Sequence, residues 1–351
     1  MFCRPYLKTI HIRIICVLII SLLFLYNIYF FSSISEYLSA SQKPLISCYF
    51  EDKLPNSLLE LNPLEVDRNS IFFIETSCKH KNGINLNLRQ GCAIESAAKL
   101  NPNLKVFVLF VSPTFINNKS DVIKRLDMYS NVNFRHINFV NYSLKTPLQD
   151  FVTSNTIFTS HWPVSHTSDL LRFLTLWKFG GTYMDLDVVL MKSLEGITNF
   201  ASVESNTSVA SLILNFGYDD IGKTIANIAV NDFAKNYQGN NWGYNGPGVI
   251  TRALMKICNT RVITNMNKQN CKGFMVYGQE AFCPIAWTDW ALYFNSTTSA
   301  KVMNAIENSM GIHVWNLHSK HTPIIVGSKQ PYGLVAQKYC PDIFSSAKDI
   351  F

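Results

Sequence analysis

Residues 168–190 read SDLLRFLTLWKFGGTYMDLDVVL, and the two carboxylates near the end of this stretch, Asp185 and Asp187, organise the reading of everything around them. Ser168 can cap a helix whose Leu170, Leu171, Leu174 and Trp177 fall on one apolar stripe, and Gly180 supplies the left-handed residue that stops it. A strand is expected from about Thr182. Successive strand residues face opposite ways, so Tyr183, Asp185, Asp187 and Val189 share one face while Met184, Leu186, Val188 and Leu190 face a core. Both aspartates then leave the sheet together.

Two acidic side chains ending an apolar strand are costly unless a cation or a polar ligand compensates them. Hard divalent ions bind carboxylates and keep positions open for water or phosphate oxygens, which makes a metal the natural occupant. Taken alone, an Asp-x-Asp more often marks a strand end meeting water. The neighbours alter that weighting. Asp169 and Arg172 stand three apart on the preceding helix, spaced to pair with each other or to reach a ribose or sugar.

Working outward, residues 70–76 read as a buried strand, 88–99 as a helix with Ala93, Ala97 and Leu100 turned inward, and 105–111 as a second strand. Residues 138–140 read as a third, short strand. Alternating strands and helices predict an α/β fold with a mainly parallel, Rossmann-like sheet covered on both faces. Ligands bind such sheets beyond the carboxyl ends of the strands, where Glu75-Thr76 and Asp185-Leu186-Asp187 both fall. Further on, the glycine-rich residues 239–248, with Trp242 and Tyr244, form either a turn-rich connection or a sugar platform. A helix is expected over residues 249–258. Trp287, Trp290 and Tyr293 are core or acceptor wall, core being the commoner meaning. His313, inside Ile312-His313-Val314-Trp315, is apolar on both sides, where a histidine is more often a hydrogen-bonded core residue than a ligand.

The 351 residues are 48% hydrophobic and 13% aromatic, ample for a core, and the net charge of +7 is scattered rather than striped, which argues against a nucleic-acid partner. Residues 14–31 carry no charge and are long enough to cross most of a bilayer as a helix; a secretory signal would have a shorter apolar region, although Leu38-Ser39-Ala40 could pass for its cleavage site. Arg4, Lys8 and Arg13 precede this segment and Glu36 follows it, so residues 1–13 are expected in the cytosol, 32–67 as a stem and 68–351 as a lumenal catalytic domain. Four N-x-[ST] acceptors, at Asn118, Asn141, Asn206 and Asn295, agree with a lumenal placement, as do seven cysteines after the span. Cys78 with Cys92 and Cys258 with Cys271 would close short loops, and Cys340 could pair with Cys48 or Cys283. Seven is odd, so at least one thiol stays unpaired within the chain.

Beyond the Asp-x-Asp, the segments Phe73-Ile74-Glu75-Thr76-Ser77, Ala93-Ile94-Glu95-Ser96-Ala97-Ala98, Gly246-Pro247 with Thr251-Arg252, Glu280-Ala281-Phe282 through Trp290, and His313-Val314-Trp315-Asn316 occur in order. Together they resemble the animal alpha-1,4-glycosyltransferases over nearly everything after residue 70. The resemblance implies a Golgi-membrane transferase of the GT-A type that moves galactose or N-acetylgalactosamine from a UDP-sugar with a divalent metal, Mn²⁺ being expected, and makes an alpha-1,4 linkage with retention on a glycolipid acceptor; the alternative it leaves is transfer of N-acetylglucosamine to glycoprotein glycans. It implies a metal site of Asp185, Asp187 and His313 and catalytic roles for Asp185, Asp187 and Glu280. Donor contacts are implied at Glu75, Thr76, Asp169, Arg172, Tyr183, Asn206, Gly246 and Pro247. Cys283 stands where the family usually has an aromatic residue, which marks it as the free thiol. An inactive carbohydrate-binding relative would be expected to lack one of the acidic residues or Arg172, and all are present. A phosphohydrolase would call for more clustered ligands than these eight scattered histidines offer.

Overall fold

The computed structural model describes Ser21 and residues 46–51, 56–80, 83–114 and 119–351. The span expected at residues 14–31 lies outside these residues apart from Ser21, and among the described residues no helix is long and apolar enough to cross a membrane. The described residues from 46 onward form one compact unit. The part of the expected stem that is described, 46–51 and 56–67, belongs to that unit: Cys48 is bonded to Cys78, and the buried Tyr49 hydroxyl donates to the Thr76 carbonyl at 2.5 Å.

Ten strands are present among the described residues: β1 (Ile71–Glu75), β2 (Val106–Phe110), β3 (Val132–His136), β4 (Gly181–Met184), β5 (Val188–Leu190), β6 (Phe200–Ser205), β7 (Ser208–Val209), β8 (Ile213–Phe216), β9 (Met275–Tyr277) and β10 (Gly311–His313). Eight of them form a sheet in the order β3-β2-β1-β4-β8-β6-β7, with β9 added beside β6. The β3-β2-β1-β4 part is parallel throughout. Every residue of β1 and β2 is buried, as strands covered on both faces require. Ile71, Phe73, Val106 and Val108 face the layer that holds helix Leu88–Leu100, whereas Phe72, Ile74, Phe107 and Leu109 face the layer that holds helix Pro163–Phe179.

Helix Leu88–Leu100 starts where expected because Asn87 and Gln90 form a reciprocal capping box. The predicted strand at 138–140 is instead a short helix, Phe139–Ser143. The Asn138 side chain accepts from the Asn141 N–H at 2.9 Å and so starts a turn where a strand would have continued; the third parallel strand is β3, just before it. The helix expected from Ser168 begins earlier, at Pro163, whose fixed φ suits a first helical position. It ends at Gly180, with φ 65° and ψ −152°, a combination essentially restricted to glycine. At Gly181 a Cβ would lie 2.4 Å from the Ser70 carbonyl oxygen, so the second glycine lets β4 enter the sheet against the start of β1.

The single strand expected from Thr182 to Leu190 is two. β4 stops at Met184, and after a turn closed by the Val188 N–H on the Asp185 carbonyl at 3.1 Å, β5 pairs antiparallel with β10 in a separate two-stranded sheet. The aspartates therefore sit in the turn between two sheets. Cys258–Cys271 is bonded as expected and Cys283 is free and buried, but Cys78 joins Cys48, and Cys340 joins Cys92. Short loop length misled here: the Cys92–Cys340 bond spans 248 positions, which only the packing of the C-terminal helices on helix Leu88–Leu100 brings together.

Candidate active site

β1 and β4 are neighbours from which the sheet departs in opposite directions, the switch point at which open α/β sheets bind ligands. A cavity of about 720 Å³ opens there, and its walls include Glu75, Asp169, Arg172, Asp185, Asp187 and His313. Arg172 is 5% exposed, and its fork is fully engaged. It meets Asp169 Oδ1 at 3.0 Å, Asp185 Oδ1 at 3.3 Å, the Ser211 carbonyl at 2.7 Å and the Ser211 hydroxyl at 3.0 Å. The Tyr183 ring lies beneath the guanidinium at 4.6 Å, and its hydroxyl donates to Asp185 Oδ1 at 2.5 Å. Asp169 and Arg172 thus do pair within the helix, and the pair braces Asp185.

On the other side of the turn, β5–β10 pairing sets His313 opposite Val188, which carries its Nε2 to 3.1 Å from Asp187 Oδ2. The same oxygen accepts the Asn316 N–H at 2.8 Å. Trp315 makes this approach possible by adopting φ 53° and ψ 54°, a strained conformation for a bulky residue, and it is anchored by its indole N–H on the Ile285 carbonyl at 2.9 Å. Strain of this kind persists only where surrounding contacts over-determine it.

Burial pushes the Asp185 carboxyl above its usual value, against the opposing charge of Arg172. Burial acts on Asp187 too, but the His313 imidazole and the Asn316 N–H outweigh it and hold Asp187 below the usual range. His313 is raised well above an ordinary histidine: burial opposes its charge, and Asp187 prevails. Burial also brings Asp169 up to about 7 despite Arg172. Ligand atoms of Asp185, Asp187 and His313 lie within 4.8 Å of one another, so these three side chains would be the ones to hold a divalent ion. Two carboxylates and an imidazole make a donor set that fits a divalent metal, with Asp187 turned toward a positive partner already.

The other expected site residues divide. Glu75 and Thr76 border the cavity but serve the framework: Glu75 accepts from the Ser77 N–H and the Gln90 amide, each at 2.7 Å, and the Thr76 hydroxyl donates to the Val164 carbonyl at 3.0 Å. Pro247 lines the cavity; Gly246 backs it, since a Cβ there would fall 2.4 Å from Asp169 Oδ1. Glu280 does not line it, being exposed with its carboxylate folded over Gly278. Asn206 is exposed at the tip of the β6–β7 hairpin and is also outside the lining. Sequence reasoning passed over Glu204, Ser211 and His318, which do line it. Alternation along β6 was a usable signal for Glu204, but a bulge in that strand obscures it.

Two family models match the chain: the glycosyltransferase sugar-binding region containing a DXD motif over residues 88–207, and the alpha 1,4-glycosyltransferase conserved region over 218–347. Lactosylceramide 4-alpha-galactosyltransferase of Mus musculus is 29% identical over 283 residues, which cover 80% of this chain and 76% of that protein. Alpha-1,4-N-acetylglucosaminyltransferase of Homo sapiens is 25% identical over 80% of this chain and 81% of that protein. Among solved structures, the galactosyltransferase LgtC in complex with donor and acceptor sugar analogs aligns with a TM-score of 0.36 at 13% identity, over 80% of this chain and 96% of that one.

Proposed function

We propose that this chain, which is similar to the alpha-1,4-glycosyltransferases, is a retaining hexosyltransferase that moves galactose or N-acetylgalactosamine from a UDP-sugar to a glycosphingolipid. The observation that carries the reading is the convergence of Asp185, Asp187 and His313 beside the Arg172–Asp169 pair at the sheet's switch point. Asp185, Asp187 and His313 would hold the divalent ion, Mn²⁺ by this proposal. When bound, that ion supplies Lewis acidity that stabilises charge on the departing diphosphate. Arg172, engaged on four sides, keeps Asp169 and Asp185 in place, and Asp169 offers its carboxylate to a hydroxyl of the donor. Trp242 and Trp287, both on the cavity wall and partly exposed, give sugar rings an apolar face.

Retention asks for a carboxylate nucleophile or same-face attack. Glu280, the residue considered for the first route, stands outside the cavity, which favours same-face attack. We also propose that residues 14–31 anchor the protein in the Golgi membrane with the catalytic unit in the lumen, where three disulfides form readily and a tether raises the local concentration of membrane-borne acceptors.

A donor screen tests the reading: UDP-galactose, UDP-N-acetylgalactosamine and UDP-N-acetylglucosamine, each with Mn²⁺, offered lactosylceramide and a soluble glycoprotein glycan. Transfer of galactose or N-acetylgalactosamine to the lipid, abolished by chelation, is expected. Transfer of N-acetylglucosamine to the glycoprotein glycan alone would replace this reading with that of the second relative.

A further inference from the structure

We infer that a second cavity, between the β6–β7 hairpin and helix Pro247–Ile257, receives the accepting glycan as a neutral sugar ring whose hydroxyl is oriented by Glu204. The inference rests on the transferase reading above. This cavity, of about 380 Å³, shares Glu204, Trp242 and Pro247 with the larger one, so the two adjoin at those three residues.

Glu204 owes its position to a break in strand register. Val203 pairs with Val209 and Ser205 with Ser208, so Glu204 is an extra residue on β6 with no opposite number on β7. Such bulges re-aim a side chain and recur beside active sites. Here the side chain becomes the partition between the two cavities. It is half-buried, the Ser208 hydroxyl donates to it at a long 3.5 Å, and among the described residues no ion pair joins it to a lysine or arginine. Burial raises its carboxyl, with His313 opposing. Unlike Asp169, Asp185 and Asp187, this carboxylate also lines the second cavity, where it accepts strongly from the hydroxyls of a neutral sugar. That assigns it to the acceptor side.

The remaining walls agree. Arg252 looks like an anion site but is occupied: it bonds Asp232 Oδ2 at 2.5 Å and 2.9 Å, bonds the Tyr244 carbonyl at 3.2 Å, and stacks 4.0 Å from the Tyr244 ring. The cavity therefore offers no free cation to a phosphate. Thr207 and Ser208 bring hydroxyls, and Trp242, held edge-on by Trp162 at 5.4 Å, brings an aromatic face. An indole, hydroxyls and one carboxylate are the groups that bind a pyranose.

The test is equilibrium binding to the full chain with Mn²⁺, using UDP and lactose as separate probes, for wild type, Glu204→Gln and Thr207→Trp. Thr207 is exposed, so the second variant fills the cavity mouth without touching the core. Both variants should bind UDP within about twofold of wild type while lactose weakens about tenfold or more, through the loss of one charge-assisted hydrogen bond in Glu204→Gln and through a filled cavity in Thr207→Trp. Lactose affinity unchanged in both variants, or a wild type that binds UDP but no lactose, would overturn the subsite. Weaker UDP with lactose intact would assign Glu204 to the donor and overturn it too. A wild type that binds no UDP would instead remove the transferase reading on which the subsite rests.

Discussion

Arg172 shows how a single side chain can decide whether two others are usable. Asp169 and Asp185 are drawn upward by burial, and the guanidinium between them is the cation that keeps both carboxylates in position. A lysine carries the same charge but cannot present a planar fork to two carboxylates and the Ser211 carbonyl at once. Arg172→Lys should therefore lower transfer by roughly 100-fold or more while the protein still folds with its disulfides, as checked by initial rates and thermal unfolding in parallel. Wild-type turnover in this variant would show that the fork is not needed. The pairing of Asp169 with Arg172 was legible from their spacing, since three residues on a helix is one turn. Its extension to Asp185 was not, because nothing in the spacing says that β4 runs antiparallel to that helix and ends beneath it.

At the scale of elements, the segment before β1 illustrates what hydrophobic periodicity misses. Residues 62–65 have no sustained pattern, yet Glu65 grips Arg135 of β3 through two bonds, at 2.8 Å and 2.6 Å. The hydrogen bond from Arg135 is the main reason that the Glu65 carboxyl is held below its ordinary value. A carboxyl depressed on folding contributes stability above its unfolded pKa and loses it as the pH falls through the folded one. Glu65→Gln should accordingly cost about 1 kcal/mol at pH 7. The difference from wild type should close progressively below about pH 4. Denaturant unfolding of both proteins across that range checks the sign; a gap that widens in acid would contradict it. Strands β1 and β2 and helix Leu88–Leu100 were readable because burial and capping are local signals. The break of the Asp-x-Asp strand into β4 and β5 was hidden, because apolar alternation runs unbroken through residues 182–190 while the chain passes from one sheet to another.

Across the whole molecule, the pieces farthest apart in sequence are those that build the site. His313 reaches Asp187 only because β10 returns to β5, and Cys340 reaches Cys92 only because the C-terminal helices fold back on helix Leu88–Leu100. A sequence pattern names such residues without placing them. Asp185, Asp187 and His313 lie together, Glu204 lines the cavity beside them, and Glu280 does not line it. The proposed transfer depends on that three-residue cluster acting as one metal site. The most direct test is Mn²⁺ binding to the purified chain, followed by electron paramagnetic resonance of the free ion, for wild type, Asp187→Asn and His313→Ala. Each substitution is predicted to weaken binding by at least roughly 100-fold, with the fold retained by circular dichroism. Mn²⁺ affinity within twofold of wild type in either variant would contradict the account.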